Sequence, residues 1–153
     1  MTVEITAQVR RATLADGDAI AQFNLAMAQE TEGKALDAAT VGAGVVSLMH
    51  QPQYGFYTVV ETQTGLAGCL LITYEWSDWR NGLIWWIQSV YVHPDYRRQG
   101  LFKQLYAQVR EWAQAEEACG LRLYVEAANH SAQSTYTALG MKPAGYQVFE
   151  ALF

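Results

Sequence analysis

Ser89–Tyr106, SVYVHPDYRRQGLFKQLY, is read as a strand, a basic turn and the start of a helix. Ser89–Val92 continues the β-branched and aromatic run LIWWIQSVYV, and Pro94 fixes the turn that follows. From Gly100 the spacing changes. Leu101, Leu105, Val109 and Trp112 recur on one face, which predicts a helix over GLFKQLYAQVREWAQAEEACG with Gly120 as its stop. LRLYVEA then alternates as a strand. One helix between two strands predicts a right-handed βαβ unit with parallel neighbours or near-neighbours. The helix start exposes unpaired N–H groups and a positive dipole end, and Arg97, Arg98 and Lys103 add charge to it, so an anion is expected there.

Upstream, VEITAQVRRA alternates as a strand, and Thr13 with Asp16 fits a capping box. Ala19, Ile20, Phe23, Ala26 and Met27 place a helix up to about Glu30, broken by TEGK. LDAATVGAGVVSLMHQ reads as a second helix, weakened by Gly42 and Gly44 and ended by Pro52. YGFYTVVET, LAGCLLITYEW and LIWWIQSVYV are three strands of an antiparallel meander, with Asn81-Gly82 as a two-residue hairpin turn between the last two. NHSAQSTYTALGM is a short helix capped by Asn129 and stopped by Gly140, and AGYQVFEALF is a final strand or strand pair. The order β-αα-βββ-α-β-α-β describes an α/β protein with a mixed sheet, one domain over residues 1–153.

Half the chain is apolar, enough for one core, and the net charge of −5 disfavours a nucleic-acid surface. No apolar run is long enough to span a membrane, and MTVEITAQVRRAT lacks a signal-peptide core, so a cytoplasmic protein is expected. Cys69 and Cys119 lie in apolar segments without CxxC spacing and are expected to be buried thiols. His50, His93 and His130 show no metal-ligand spacing, so no metal is expected. Gly42-x-Gly44 follows no strand and lacks a third glycine, so it is not a dinucleotide fingerprint.

Three stretches together carry a resemblance to the GNAT superfamily of N-acetyltransferases: VYVHPDYRRQG, EAANHSAQSTYTALGM and VRRATLAD. The resemblance covers nearly the whole chain, including the order of elements, and implies the GNAT acyltransferase fold. It also implies acetyl-CoA as cosubstrate, with its pyrophosphate on the backbone of Arg97, Arg98, Gln99, Gly100, Leu101 and Phe102. The pantetheine arm would lie along Val90, Tyr91 and Val92, with Asn129 as a further contact and Tyr136 facing the sulfur. Phe102 departs from the small residue the family often has two places after the glycine. The layout of YEWSDWRNGLIWWIQSVYVHPDYRRQG is similar to the spermidine/spermine branch, except that Gln88 stands where that branch has a glutamate.

Acetyl transfer to an amine needs a neutral amine, a donor for the oxyanion and an acid for the leaving thiolate. By resemblance, Tyr136 is the acid and the backbone N–H of Val92 or a neighbour is the oxyanion donor. Read on spacing alone, Tyr136 is a core tyrosine, and Asn129 is equally well a helix cap. If Asn81-Gly82 is a two-residue loop, Glu75 faces Gln88 and supplies the missing carboxylate; otherwise it is a solvated strand-end residue. The aromatic residues Tyr74, Trp76, Trp79, Trp85 and Trp86 wall an acceptor pocket or build the sheet core or a dimer interface. Glu30, Glu32 and Asp37 guide a cationic acceptor or are simply solvated.

The expected activity is direct transfer of acetyl from acetyl-CoA to a primary amine of a small molecule, polyamine-, amino-acid- or aminoglycoside-like. A protein or peptide acceptor and a non-catalytic acyl-CoA-binding module are the rival readings. The aromatic content permits a homodimer, and no nucleic-acid or membrane partner is expected.

Overall fold

The computed structural model describes residues 6–153, which fall into two compact units, one ending at Leu123 and one spanning Tyr124–Phe153. The first unit holds β1 (Ala7–Arg11), α1 (Gly17–Glu32), α2 (Ala38–Met49), β2 (Gly55–Thr62), β3 (Gly65–Ser77), β4 (Gly82–Val92), α3 (Leu101–Ala115) and β5 (Gly120–Leu123). The sheet runs in chain order, β1-β2-β3-β4-β5. The first three pairings are antiparallel, and β4 and β5 are parallel neighbours, as the single intervening helix requires. The opening strand was expected from Val3; its residues before number 6 lie outside the described ones.

Strand alternation sends successive side chains to opposite faces. Tyr57, Val59 and Cys69 pack with Ile20 and Ala21 of α1 and Val45 of α2. On the other face, Phe56 and Trp85 meet edge-on, and Phe56 also meets Trp112 of α3 with 6.1 Å between ring centroids. The first helix is reached through a short 3-10 turn, Leu14–Asp16, where Asp16 Oδ2 accepts from the Thr13 N–H at 2.7 Å. Gly33, left-handed at φ 61°, ends α1, and the Asp37 carboxylate caps α2 through the Thr40 N–H. Gly42 and Gly44 do not interrupt α2.

The β3–β4 hairpin departs from the two-residue loop. Ser77 pairs with Gly82, so the loop is the four residues 78–81, with only Asn81 left-handed at φ 51°. Gly82 belongs to β4, and the constraint on it is packing: a Cβ there would lie 2.6 Å from Cys119 Sγ. Every pairing shifts as a result. Glu75 faces Ile84, and Gln88 faces Leu71.

Farther along the hairpin, Cys69 pairs with Tyr91 while Leu71 pairs with Gln88. Leu70 is thus opposed by two residues, Ser89 and Val90, a β-bulge with Ser89 left-handed at φ 51°. β5 accompanies β4 only from Ile84 to Ile87, so Gln88–Val92 have β3 on one side and no strand of this unit on the other.

Two further expectations change. Cys69 is buried, which pushes its thiol up to about 12, but Cys119 is exposed. LRLYVEA yields a strand only up to Leu123, and residues 144–153 of the second unit, the expected final strand or strand pair, carry no helix or strand. Alternating β-formers need a neighbouring strand to pair with, and the second unit offers only one helix, α4 (His130–Ala138). Among the described residues no helix is long and apolar enough to cross a membrane.

Candidate active site

The loop between β4 and α3 begins with a 3-10 turn, Pro94–Tyr96, whose Tyr96 hydroxyl is hydrogen-bonded to Thr64. Arg98 is left-handed at φ 62°, and Gly100 at φ 76° is the N-cap of α3. The Gln104 N–H makes the first hydrogen bond of the helix, to the Gly100 carbonyl. The N–H groups of Leu101, Phe102 and Lys103 come before that first bond, at the positive end of the helix. A Cβ placed on Gly100 would meet no atom within 4 Å, so the space beside Gly100 is open. Arg98 and Lys103 are exposed beside it and hold no ion pair among the described residues. Leu101 is buried in the core, whereas Phe102 is half-buried with its ring 6.4 Å from that of Tyr106. Its bulk therefore lies along the helix, and the donors stay accessible. These features suit a pyrophosphate.

Arg97 does something else. Its Nη2 donates to Glu30 Oε2 at 2.6 Å, its Nε donates to the Val92 carbonyl at 2.8 Å, and its guanidinium stacks 5.5 Å from the Tyr91 ring centroid. The Tyr91 hydroxyl donates to the other Glu30 oxygen at 3.3 Å. Burial pushes the Tyr91 phenol up, with the Glu30 charge acting in the same direction. Glu30, Tyr91 and Arg97 thus clasp the end of α1 to the end of β4, holding the strand that leads into the loop.

Val90, Tyr91 and Val92 run from the bulge along the stretch of β4 that has a strand of this unit on one side only. Backbone groups on the other side can pair with an extended ligand, as a strand would. Beside the bulge opens a cavity of about 470 Å³ between the sheet and the first two helices. Ser89, Tyr57, Asn24, Met27, Val41 and Val45 are among its lining residues. The strand Ser89–Val92 therefore links this cavity to the phosphate-type loop.

Glu75 lies elsewhere on the sheet. It shares a face with Gln88 but is four pairing rows away, roughly 13 Å along the strands. Arg122 Nη1 donates to its Oε2 at 2.9 Å and Trp86 Nε1 to its Oε1 at 3.4 Å, and it does not line the cavity. Gln88 donates to Thr73 Oγ1 at 2.7 Å. The aromatic group also divides: Trp85 and Tyr74 pack with Phe56 in the core, while Trp79 is 87% exposed.

Within the second unit, Asn129 Oδ1 accepts from the Ala132 N–H at 3.1 Å and caps α4. Tyr136 lies two turns on, half-buried, and burial pushes its phenol up. Such a tyrosine stays protonated, the form an acid requires. Sequence reasoning missed Asn24. Its signal was present: Ile20, Asn24 and Ala28 are four residues apart on the buried stripe of α1, and an amide in that series is out of place.

The chain matches the Acetyltransferase (GNAT) family over residues 20–141, a stretch that runs through both units. A crystal structure of a possible acetyltransferase from Clostridium difficile 630 is 40% identical, with a TM-score of 0.89 over 96% of this chain and 97% of that one. A protein of Bacillus subtilis (strain 168), to which N-acetylation of an alanine of ribosomal protein bS18 is ascribed, is 33% identical over 98 residues. That alignment takes in 64% of this chain and 60% of the relative. The structure of AAC(6')-Iy in complex with a bisubstrate analogue, CoA-S-monomethyl-acetylneamine, shares the fold at 16% identity, with a TM-score of 0.77 over 97% of this chain and 99% of that one. On the sheet order, the bulged fourth strand, the glycine-capped third helix and this match, the chain belongs to the GNAT acetyltransferase family.

Proposed function

We propose that this protein is an acetyl-CoA-dependent N-acetyltransferase that passes the acetyl group directly to a primary amine. The observation that carries the reading is the single stretch Ser89–Phe102. It begins in the wall of a cavity, continues as a strand with one open side, and ends at the glycine-capped start of α3, with open space beside Gly100. A molecule with an anionic end and an extended arm fits that stretch, and an amine in the cavity meets the end of the arm.

When bound, acetyl-CoA supplies the activated carbonyl. The residues of the chain do the rest. The N–H groups at the start of α3, with Arg98 and Lys103, hold the pyrophosphate. A backbone N–H of the strand after the bulge, at or near Val92, stabilises the oxyanion. Tyr136, by resemblance, gives its proton to the departing thiolate. For the amine proton, the ion pair with Arg122 and the distance from Gln88 leave Glu75 poorly placed. We assign its removal to solvent at the Glu32 side of the cavity mouth. The same distribution of charge bears on the acceptor. Among the described residues Glu32 is the only carboxylate lining the cavity, which suits an amine with an apolar or neutral body better than a polycation.

The test is a coupled measurement of CoA release and acetylated amine, by thiol titration and mass spectrometry, for a panel of primary amines. Equal amounts of both products are expected. Tyr136→Phe is expected to lower kcat by roughly 10- to 10⁴-fold, and an unchanged kcat would remove Tyr136 from the chemistry.

A further inference from the structure

Glu30 uses both carboxylate oxygens on the end of β4. Its Oε2 accepts from Arg97 Nη2 at 2.6 Å, and its Oε1 accepts from the Tyr91 hydroxyl at 3.3 Å. Phe23, on the same side of α1 as Glu30, packs on the Tyr91 ring with 5.3 Å between centroids. Arg97 lies with its guanidinium 5.5 Å from that ring and donates from Nε to the Val92 carbonyl at 2.8 Å. The direction of this carbonyl follows from the strand pairing. Val92 is paired with Gly68, and the next N–H, that of His93, donates to the Ala67 carbonyl. Bonded and non-bonded pairs alternate along an antiparallel ladder, so Val92 turns its own N–H and carbonyl away from β3, toward the open side. The two groups of one extended residue point the same way, and fixing the carbonyl therefore fixes the N–H assigned to the oxyanion. The side chains of the Glu30–Arg97 pair are 40% and 44% exposed, and such a pair contributes little to stability. What it contributes is alignment.

We infer that Glu30 is a positioning residue for acetyl transfer: through Arg97 and Tyr91 it aims the Val92 N–H at the carbonyl oxygen of the bound acetyl group. This inference rests on the acetyl-transfer reading, and its test separates the two. Helix α1 suits the task, because Met27, Ala28, Thr31 and Glu32 near its end also line the cavity. One helix end thus sets both the wall against which the amine lies and the donor that meets the oxyanion. Such a donor acts only when preorganised, and a displacement of about 1 Å forfeits much of its effect. Loss of Glu30 leaves the Arg97 charge without its counter-ion, so that it adds to those of Arg98 and Lys103 around Gly100. Turnover and cofactor binding then part company: kcat falls while acetyl-CoA affinity holds or rises. A side chain that only kept the fold together would lower both along with stability.

The variants are Glu30→Ala, Arg97→Lys and the two combined, each checked for an unchanged melting transition. Arg97→Lys keeps the charge but loses the planar fork that joins Glu30 to the Val92 carbonyl. Glu30→Ala is expected to lower kcat about tenfold or more, with the calorimetric Kd for acetyl-CoA within about threefold of wild type or tighter. Arg97→Lys is expected to lower kcat by a similar factor, and the double variant by no more than the larger single effect, since both act through one contact. An unchanged kcat in Glu30→Ala, a loss confined to acetyl-CoA affinity, or single effects that multiply in the double variant overturns the inference. The backbone amide resonance of Val92, followed by NMR in isotope-labelled protein, reads the same linkage without turnover. It is expected to shift in both single variants, and an unmoved resonance overturns the inference. A shifted resonance in a protein that acetylates no primary amine upholds the linkage from Glu30 to Val92 and refutes the transferase reading instead.

Discussion

Replacing Gly100 by alanine separates what the loop needs in order to fold from what it needs in order to bind. Gly100 sits at φ 76°, so an L-residue there adopts the left-handed region at a cost of about 1 kcal/mol. No atom lies within 4 Å of the new Cβ, so no clash adds to that cost. For a chain of this size the melting temperature should fall by roughly 2–4 °C. Affinity should respond more. The new methyl enters the open space beside Gly100, where the proposed function puts the pyrophosphate. Hydrogen bonds to a charged group contribute about 1.5–3 kcal/mol each. Losing the equivalent of one of them weakens acetyl-CoA binding by roughly 10- to 100-fold. Differential scanning calorimetry reads the first quantity and titration calorimetry with acetyl-CoA the second. Gly100→Asn is the companion variant. Asparagine tolerates the left-handed region, so the melting temperature should recover while the affinity does not. A Kd that moves by less than about threefold in both variants, against the 10- to 100-fold expected from the lost contact, would refute the placement of the pyrophosphate.

Two other outcomes concern the frame that holds the site. Asp16 is 9% exposed in its side chain and pairs with both terminal nitrogens of Arg10, at 2.7 and 3.0 Å, and the Arg10 hydrogen bonds hold its carboxyl below the usual range. A carboxyl depressed in the folded state stabilises fully above its unfolded value, about 3.9, and loses that contribution as pH falls through the folded value. Asp16→Asn should therefore cost about 2 kcal/mol at pH 7, between exposed and buried pairs, with the gap to wild type closing in acid below pH ~4; thermal melts across pH measure it. Gly68→Ala should be far more damaging than Gly100→Ala, because its Cβ would lie 2.4 Å from the Tyr91 carbonyl oxygen on the neighbouring strand. Loss of soluble expression, or a melting temperature lowered by more than about 8 °C, is expected.

The strand–turn–helix at Ser89–Tyr106 was legible because its signals are local: β-branched residues, then Pro94 and Gly100, then a 3.6-residue stripe. The hairpin register was not. Asn81-Gly82 advertises a two-residue turn, but Gly82 is small on account of Cys119, a neighbour that nothing near it in the sequence announces. The same holds for Arg97. Its charge beside a helix start reads as a phosphate ligand, while its partner Glu30 comes from the end of a distant helix. The bulge at Ser89 has no residue signature, since a serine at φ 51° is chosen by the strand pairing around it. For residues 144–153 the alternating pattern records a preference for extended backbone without naming a strand to pair with. Asn24 was visible in the pattern, but the cavity it lines was not.

The most direct measurement is mass spectrometric detection of the products when the pure protein is incubated with trideuteroacetyl-CoA and a panel of primary amines. The account predicts an N-trideuteroacetyl amine and free CoA in equal amounts, formed at a rate proportional to protein concentration and reduced in Tyr136→Phe and Gly100→Ala. Free CoA without labelled amide, or neither product with any primary amine while acetyl-CoA binds, would contradict it.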